Sequence, residues 1–401
     1  MEKAEENNKQ DTSIGFLSRT FFLILGITLL GMMGGALLGP VLPALIEPFG
    51  VTEDRVGQVL AVYTFFTAVT MPFLGPLIDK LGRKQVVVPC LLLNGFAGLL
   101  AAFAPSFTVL LVIRALQGMG IAGLLPVAMT LIRDFFEGPK RVKAMGYLTS
   151  VLAIGGTIAP IIGGNLAVLS WRFAFLFYTV SIPLAVAIYF WMPATGGNKD
   201  VSLWGFVSNY GVIIKNKSFL LLAATNFMVA FSLYAIITFI PLLLVLDVGV
   251  SEGIAGMVVA IQALAVALVS IMIRKVAERF NTVRLISFGF ILIAASFAAL
   301  PFMDTVPGVG ISLLVFGIGM GCVFPLLNTM ITHAVQPRYV GAATSLYNSL
   351  NFVGQSTSPL VLGVVSGWLG LGAVFGTAGV LAVVAGLGVL LVGRHYPAAI
   401  Q

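Results

Sequence analysis

The sequence predicts an all-α membrane protein in which twelve transmembrane helices form two pseudo-symmetric six-helix bundles. Three observations lead there. Of 401 residues, 59% are hydrophobic and only 9% charged, with a mean hydropathy of +1.06, a balance foreign to water-soluble domains. Charges are gathered into short breaks that leave uncharged intervals at 20–46, 56–78, 85–113, 144–171, 173–198, 218–246, 253–273, 285–303, 305–337 and 339–393. The chain also repeats itself at a constant offset of 199 residues: "GVTEDRVGQVLAV" from Gly50 matches "GVSEGIAGMVVAI" from Gly249.

A bilayer core takes roughly 20 apolar residues per helix, so the intervals divide into spans at 20–43, 56–78, 85–104, 107–133, 143–169 and 173–192 in the first half. The second half gives 218–246, 254–273, 284–303, 308–333, 342–366 and 371–393, the last interval being long enough for two. Span 1, "ILGITLLGMMGGALLGPVLPAL", holds no acid or base, only glycines, two prolines and the pliable side chains of Met32 and Met33. Span 2 carries Tyr63 and ends in a charged loop. Span 3 carries Asn94 and Cys90, and span 4 carries Arg114 and Gln117. Span 5 holds the small-residue run "GGTIAPIIGG", which suits close helix packing with a bend at Pro160. Span 7 contributes Asn226 and Tyr234, span 8 Gln262, span 10 Asn328 and Cys322. In span 11 Tyr347, Asn351 and Gln355 recur every four residues and share a face. The two cysteines show neither metal nor disulfide spacing and read as small core residues.

The offset of 199 also carries Gly118 onto Gly317, Gly120 onto Gly319, Pro126 onto Pro325, Gly155 onto Gly354, Pro160 onto Pro359 and Gly164 onto Gly363. Six spans per copy give two halves of the same orientation, the pattern of transporters that bind at the interface and rock about it. The expected organisation is a cytoplasmic N-terminal tail 1–19, a bundle 20–192, a cytoplasmic linker 193–217 with a short surface helix near 203–214, a second bundle 218–393 and a tail 394–401. The first tail, polar and mixed in charge, is unlike a cleaved signal peptide and reads as disordered.

Lys and Arg set the orientation. With a cytoplasmic N-terminus, nineteen of the 22 lie on that side and only Arg55 and Arg172 on the other, Arg114 being left inside the membrane. By the positive-inside rule both termini are cytoplasmic. The net charge of +7 is thus a topology signal facing anionic lipid, not a sign of nucleic-acid binding.

The loop "GPLIDKLGRKQ", Gly75 to Gln85, needs more than anchoring. Gly82 permits a tight turn, and Arg83 and Lys84 hold the loop inside, yet Asp79 is an acid that an anchor does not require. The stretch resembles the signature loop of the major facilitator superfamily, G-x-L-x-D-R-x-G-R-K, with Lys80 in place of Arg. "RALQGMGIAGLLP" from Arg114 resembles its fourth-helix motif R-x-x-x-G-x-G. "GGTIAPIIGG" from Gly155 resembles the fifth-helix motif G-x-x-x-G-P-x-x-G-G of its drug and metabolite exporters, with Ala159 in place of Gly. The resemblance covers essentially the whole chain and implies a proton-coupled exporter of the major facilitator fold with a cavity lined by helices 1, 4, 7 and 10 and flanked by 2, 5, 8 and 11.

From it follow the expected site residues. Gly75, Asp79, Gly82, Arg83, Lys84, Asp134, Gly155, Pro160, Gly163 and Gly164 would gate. Asp79 and Arg83 would latch with Asp134 and the start of helix 11 when the inner side closes. Arg114, Asp134, Asp79 and His333, the repeat partner of Asp134, are candidates for proton coupling. Met32, Met33, Tyr63, Gln117, Asn226, Tyr234, Gln262, Asn328, Tyr347, Asn351 and Gln355 are candidates for the cavity. An Arg inside a span costs roughly 2.5–3.5 kcal/mol and no acid stands at its depth, so carbonyls, Asn or Tyr side chains, water or substrate are its expected partners.

No P-loop, Ser-His-Asp set, HExxH or deep carboxylate pair is present, and the two histidines are His333 and His395. An enzyme is therefore not expected, nor a cofactor or metal. The expected partners are a small-molecule substrate, protons and membrane lipids, and the expected unit is a monomer in a prokaryotic cytoplasmic membrane. A cavity without acids argues for neutral, anionic or amphipathic substrates; a lipid or lysolipid mover, a specific metabolite exporter such as one for sugars, and a non-transporting receptor of the same fold are the alternatives.

Overall fold

The computed structural model describes residues 15–193, 196–197, 210–336 and 339–393. The tails 1–14 and 394–401 lie outside the described residues, as does 203–209 of the expected surface helix; residues 210–213 are helical.

Twelve long helices follow one another: α1 Arg19–Ala36, α2 Gln58–Leu81, α3 Arg83–Ala101, α4 Phe107–Phe135, α5 Gly138–Leu169 and α6 Trp171–Trp191, then α7 Lys217–Leu242, α8 Glu252–Ala277, α9 Thr282–Ala299, α10 Val306–Met330, α11 Val340–Leu369 and α12 Leu371–Leu391. Among the described residues eleven are long and apolar enough to cross a membrane. The remaining one, α11, has 30 residues but carries Asn348, Asn351, Gln355 and several Ser and Thr, which marks it as a helix facing protein or water more than lipid.

Local chemistry fixes where the helices start. Side-chain oxygens of Ser18, Ser106, Asn216 and Asn281 accept hydrogen bonds from the backbone N–H groups of Phe21, Val109, Phe219 and Val283, satisfying donors that a first turn leaves free. α1 ends at Ala36, short of the expected 43. A 3₁₀ turn, Gly39–Val41, and a short helix, Pro43–Phe49, follow it, because Pro40 and Pro43 lack the N–H that a continuing helix needs. Between α2 and α3 the chain turns at Gly82 with φ +97°, where a side chain would be strained.

The sequence repeat is also a repeat of contacts. Gly118 of α4 lies against the Tyr63 carbonyl of α2, and Gly317 of α10 against the Gln262 carbonyl of α8. Gly120 meets Cys90 and Asn94 of α3, while Gly319 meets Gly289 and Ile293 of α9. Each partner is displaced by the same 199 residues. The halves meet through α2 with α11 and α5 with α8, and there too the contacts come in pairs: Gly57 against Pro359 and Gly256 against the Pro160 carbonyl, Gly363 against the Asp54 carbonyl and Gly164 against that of Glu252. Lipid offers no hydrophobic drive for helix association, so small residues that let backbones touch supply the packing. These contacts gather at the helix ends remote from the Gly82 turn, the ends expected to face outward, where Gly39 also sits against the Ile237 carbonyl.

Candidate functional site

Arg114 lies on α4 with no exposure at all. Its Nε donates to the Val59 carbonyl at 3.2 Å and its Nη1 to Gln117 Oε1 at 2.5 Å. The guanidinium carbon sits 4.0 Å from the centre of the Tyr63 ring, a cation–π contact strengthened by the absence of water. The Tyr178 hydroxyl stands close by, its own proton donated to the Gly34 carbonyl at 2.8 Å. Nη2 is buried without a hydrogen-bond partner. Carbonyl and tyrosine partners are as the sequence leads one to expect; the amide partner is Gln117, not an Asn.

A hydrogen-bonded chain holds this centre in place. Gln117 Nε2 donates to Asn94 Oδ1 at 3.2 Å, and Asn94 Nδ2 to Ser181 Oγ at 2.7 Å, tying α4 to α3 and α6. On the side of the second half, Tyr234 of α7 reaches Gly35 of α1, where a side chain would collide with its hydroxyl. Gly34 makes the same allowance for Tyr63. The paired glycines of α1 are thus the space into which two tyrosines from different halves fit. Met33 is buried and Met32 packs against Gly155 and Gly156 of α5.

A second polar cluster belongs to α7 and α11. Asn226 Nδ2 donates to the Tyr347 carbonyl at 3.1 Å, Asn351 Nδ2 to Asn226 Oδ1 at 2.9 Å, and Gln355 Nε2 to Asn351 Oδ1 at 2.8 Å. The Tyr347 hydroxyl and Gln355 Oε1 are buried without partners, as is Gln262 Oε1. Asn328 is exposed on α10, apart from this chain of amides.

The residues expected to gate form two groups. Arg83 Nε donates to Asp134 Oδ2 at 2.7 Å, and Nη1 reaches the Ile78 and Gly196 carbonyls at 3.3 and 3.4 Å. Lys84 Nζ donates to the Met192 carbonyl at 3.0 Å. Asp79 is 3.6 Å from Arg83 with 45% of its side chain exposed. Among the described residues no hydrogen bond or ion pair joins Asp79 to the start of α11, so the expected latch is assembled within the first half only. Gly75 is half-buried in α2. The second group lines α5: Gly155 and Gly163 abut α1 and the Leu37 carbonyl after it, whereas Pro160 and Gly164 abut α8. His333 is exposed just past the C-terminal end of α10, and among the described residues no hydrogen bond or ion pair joins it to Asp134 or Arg83.

Tyr178 and Ser181 of α6 were not legible as site residues. A lone Tyr and a lone Ser in the middle of an apolar span carry no spacing signal, and only the fold brings them to the centre around Arg114.

With this geometry in view, the comparisons with known proteins are direct. The sequence profile of the Major Facilitator Superfamily matches residues 24–246 and 222–400. The chain is similar to the bacillibactin exporter of Bacillus subtilis, 26% identical over 352 residues that cover 84% of this chain and 88% of that one. It is also similar to the multidrug transporter protein MdtP of the same organism, 24% identical over 88% of this chain and 76% of that one. Among solved structures it superposes on an inward-facing, occupied bacterial homologue of the human lysosomal transporter Spinster with a TM-score of 0.82, at 18% identity and covering 96% of this chain and 98% of that one. A duplicated twelve-helix bundle with these motifs, matched along both halves by the family profile, is a transporter and not an enzyme: the chain belongs to the major facilitator superfamily.

Proposed function

We propose that this protein exports small amphipathic compounds across a cytoplasmic membrane by alternating access, driven by proton influx. The observation that carries the reading is the placement of a buried polar centre between two halves whose outer ends are interlocked through backbone contacts at Gly57, Gly164, Gly256 and Gly363. Toward the inner side, Thr149 and Ser150 of α5 and Phe324 and Asn328 of α10 are exposed. We read these exposed positions as the inner mouth of the carrier. The exporter-type glycine run on α5 and the names of the two Bacillus relatives favour export over uptake.

Proton coupling needs a group that titrates and that both sides can reach in turn. Asp134, held by Arg83 at the inner end of α4, and Asp79 beside it are the acids whose protonation would loosen the inner latch. Arg114 supplies the fixed charge of the centre, and exposed His333 has no such coupling to a moving contact. The test is accumulation of ethidium and of a neutral fluorescent lipid analogue in inverted vesicles holding the pure protein, with and without an acid-inside gradient. Gradient-driven uptake of ethidium would establish proton-coupled drug export. Movement of the lipid analogue with ethidium excluded would instead identify a lipid mover, and no movement of either would remove the export reading.

A further inference from the structure

Two buried groups at the centre keep hydrogen-bonding capacity in reserve, and they are of opposite kind. Arg114 Nη2 is a cationic donor that makes no well-formed hydrogen bond, with the neutral Tyr178 hydroxyl oxygen beside the guanidinium. No acid lies near it: the acids of the membrane-spanning region, Glu47, Glu53, Asp54, Asp79, Asp134, Glu137, Asp247, Glu252, Glu278 and Asp304, all stand at or beyond helix ends. Its charge is softened by the Tyr63 ring and by neutral oxygens but is not cancelled. An uncompensated buried cation is expensive, and an anion arriving beside it recovers that cost.

The other group is Gln355 Oε1, and its polarity is dictated by the far end of its own chain. A backbone carbonyl can only accept. Asn226 must therefore turn its NH2 toward the Tyr347 carbonyl, which points its Oδ1 at Asn351. Asn351 must in turn donate to that oxygen and offer its own Oδ1 to Gln355. Gln355 must donate to Asn351, so the atom left over is its carbonyl oxygen. The orientation of all three amides follows from one carbonyl, and the relay ends on a buried acceptor.

The two groups lie at one level of the membrane. α2 and α11 run antiparallel with Asp54 against Gly363, Gly57 against Pro359, and Ala68 O accepting from Ser349 Oγ. That register sets Gln355 level with Ala61 and Val62, beside Tyr63, which is stacked on Arg114. At 3.6 residues per turn Gln355 is also half a turn round α11 from Val364, which is 54% exposed on the lipid face. Gln355 therefore lies on the side of α11 turned to the interior, across the interface between the halves from Arg114.

We infer that the central site takes organic anions that also carry a hydrogen-bond donor, with Arg114 holding the anionic group and Gln355 Oε1 accepting from the donor. A carboxylate or phenolate on an aromatic or aliphatic body bearing a hydroxyl or amide N–H has this chemistry. The inference rests on the export reading above for its biological sense, but not for its test. A site of this kind rejects cations, because it holds one cation and no acid. It also grips its ligand from both halves, so that loading biases how the halves sit.

The test uses equilibrium binding to the full-length protein in lipid nanodiscs, followed by the intrinsic fluorescence of four matched naphthalenes. These are a hydroxynaphthoate with its two groups at opposite ends of the ring system, the methoxy analogue without the donor, the methyl ester without the anion, and the hydroxynaphthylmethylammonium ion. The hydroxynaphthoate is expected to bind best. The methoxy analogue should be about tenfold weaker, and the ester and the ammonium about a hundredfold weaker or undetectable. In Gln355→Leu the hydroxy and methoxy compounds should become equal, and in Arg114→Gln the acid and its ester should become equal. Binding of the ammonium ion as well as the acid, equal binding of all four, or binding of none overturns the proposal, and these comparisons hold on the unaltered protein even if a variant fails to fold. Transport of the same compounds in inverted vesicles separates the two readings. Ethidium movement without selective naphthoate binding keeps export and removes the anion site, whereas selective binding without movement of any probe does the reverse.

Discussion

At Arg83 three acceptors meet one guanidinium, and geometry decides what each neighbour can change. The Nε bond to Asp134 is short at 2.7 Å, while the carbonyls of Ile78 and Gly196 are held by Nη1. A lysine keeps the charge but has no planar fork with which to reach oxygens in several directions. Arg83→Lys is therefore expected to cost about 1–2 kcal/mol of stability, seen as a fall of a few degrees in the melting temperature of the purified protein. Asp79 is a different case. Its 3.6 Å contact to Arg83 leaves nearly half of the Asp79 side chain exposed and is worth little at rest, so Asp79→Asn should melt like the parent. If Asp79 meets the start of α11 only when the inner side closes, the same variant should slow transport with its membrane abundance intact. A transport rate equal to the parent's would remove the latch, and a lowered melting temperature would recast Asp79 as structural. Arg114 was legible as a residue that needs partners, because a charge in a span is costly. Which partners it has was not, since Tyr63, Tyr178 and the Val59 carbonyl arrive from two other helices whose rotation no single-span pattern encodes.

The helices themselves show where sequence reading carries and where it stops. The spans were legible from uncharged intervals alone, because lipid imposes length and composition on a helix more strictly than water does. α11 was found in the same way although it is the least apolar, since charge and not polarity marks a break. The end of α1 was misplaced by seven residues because Pro40 and Pro43 interrupt a run whose hydropathy continues. Small-residue packing was legible as a motif, but not its individual contacts. Gly118 has the Tyr63 carbonyl in the place of a side chain, whereas Gly146 on α5 has nothing within 4 Å. Backbone cannot step aside as a flexible side chain can, so Gly118→Ala should cost about 1–3 kcal/mol and lower the yield of monodisperse protein on size-exclusion chromatography. Gly146→Ala should change neither yield nor melting temperature. Equal behaviour of the two would mean that α2 and α4 are not packed backbone to backbone. By the repeat, Gly317→Ala should match Gly118→Ala, because it meets the corresponding carbonyl of Gln262.

Across the whole molecule, the pairing of contacts at an offset of 199 has a mechanical consequence. Pro160 with Gly256 and Pro359 with Gly57 are two copies of one contact, and Gly164 with Glu252 and Gly363 with Asp54 repeat it to within one residue. If the halves move as units, parting them at these contacts must break both copies together. The Asp54–Gly367 pair offers a way to hold one copy shut. A β-carbon on Gly367 would stand 3.3 Å from that of Asp54, close to the separation that a disulfide requires. The double substitution Asp54→Cys and Gly367→Cys is best made with Cys90 and Cys322, both free and buried, replaced by Ala. Oxidation should join α11 to the segment before α2, stop transport, and leave binding from the inner side intact; reduction should restore transport to the level of the reduced double variant. Transport that continues with the bridge fully formed would show that the outer ends need not part, and the two halves would then have to pass substrate by some motion other than rocking about Arg114 and Gln355.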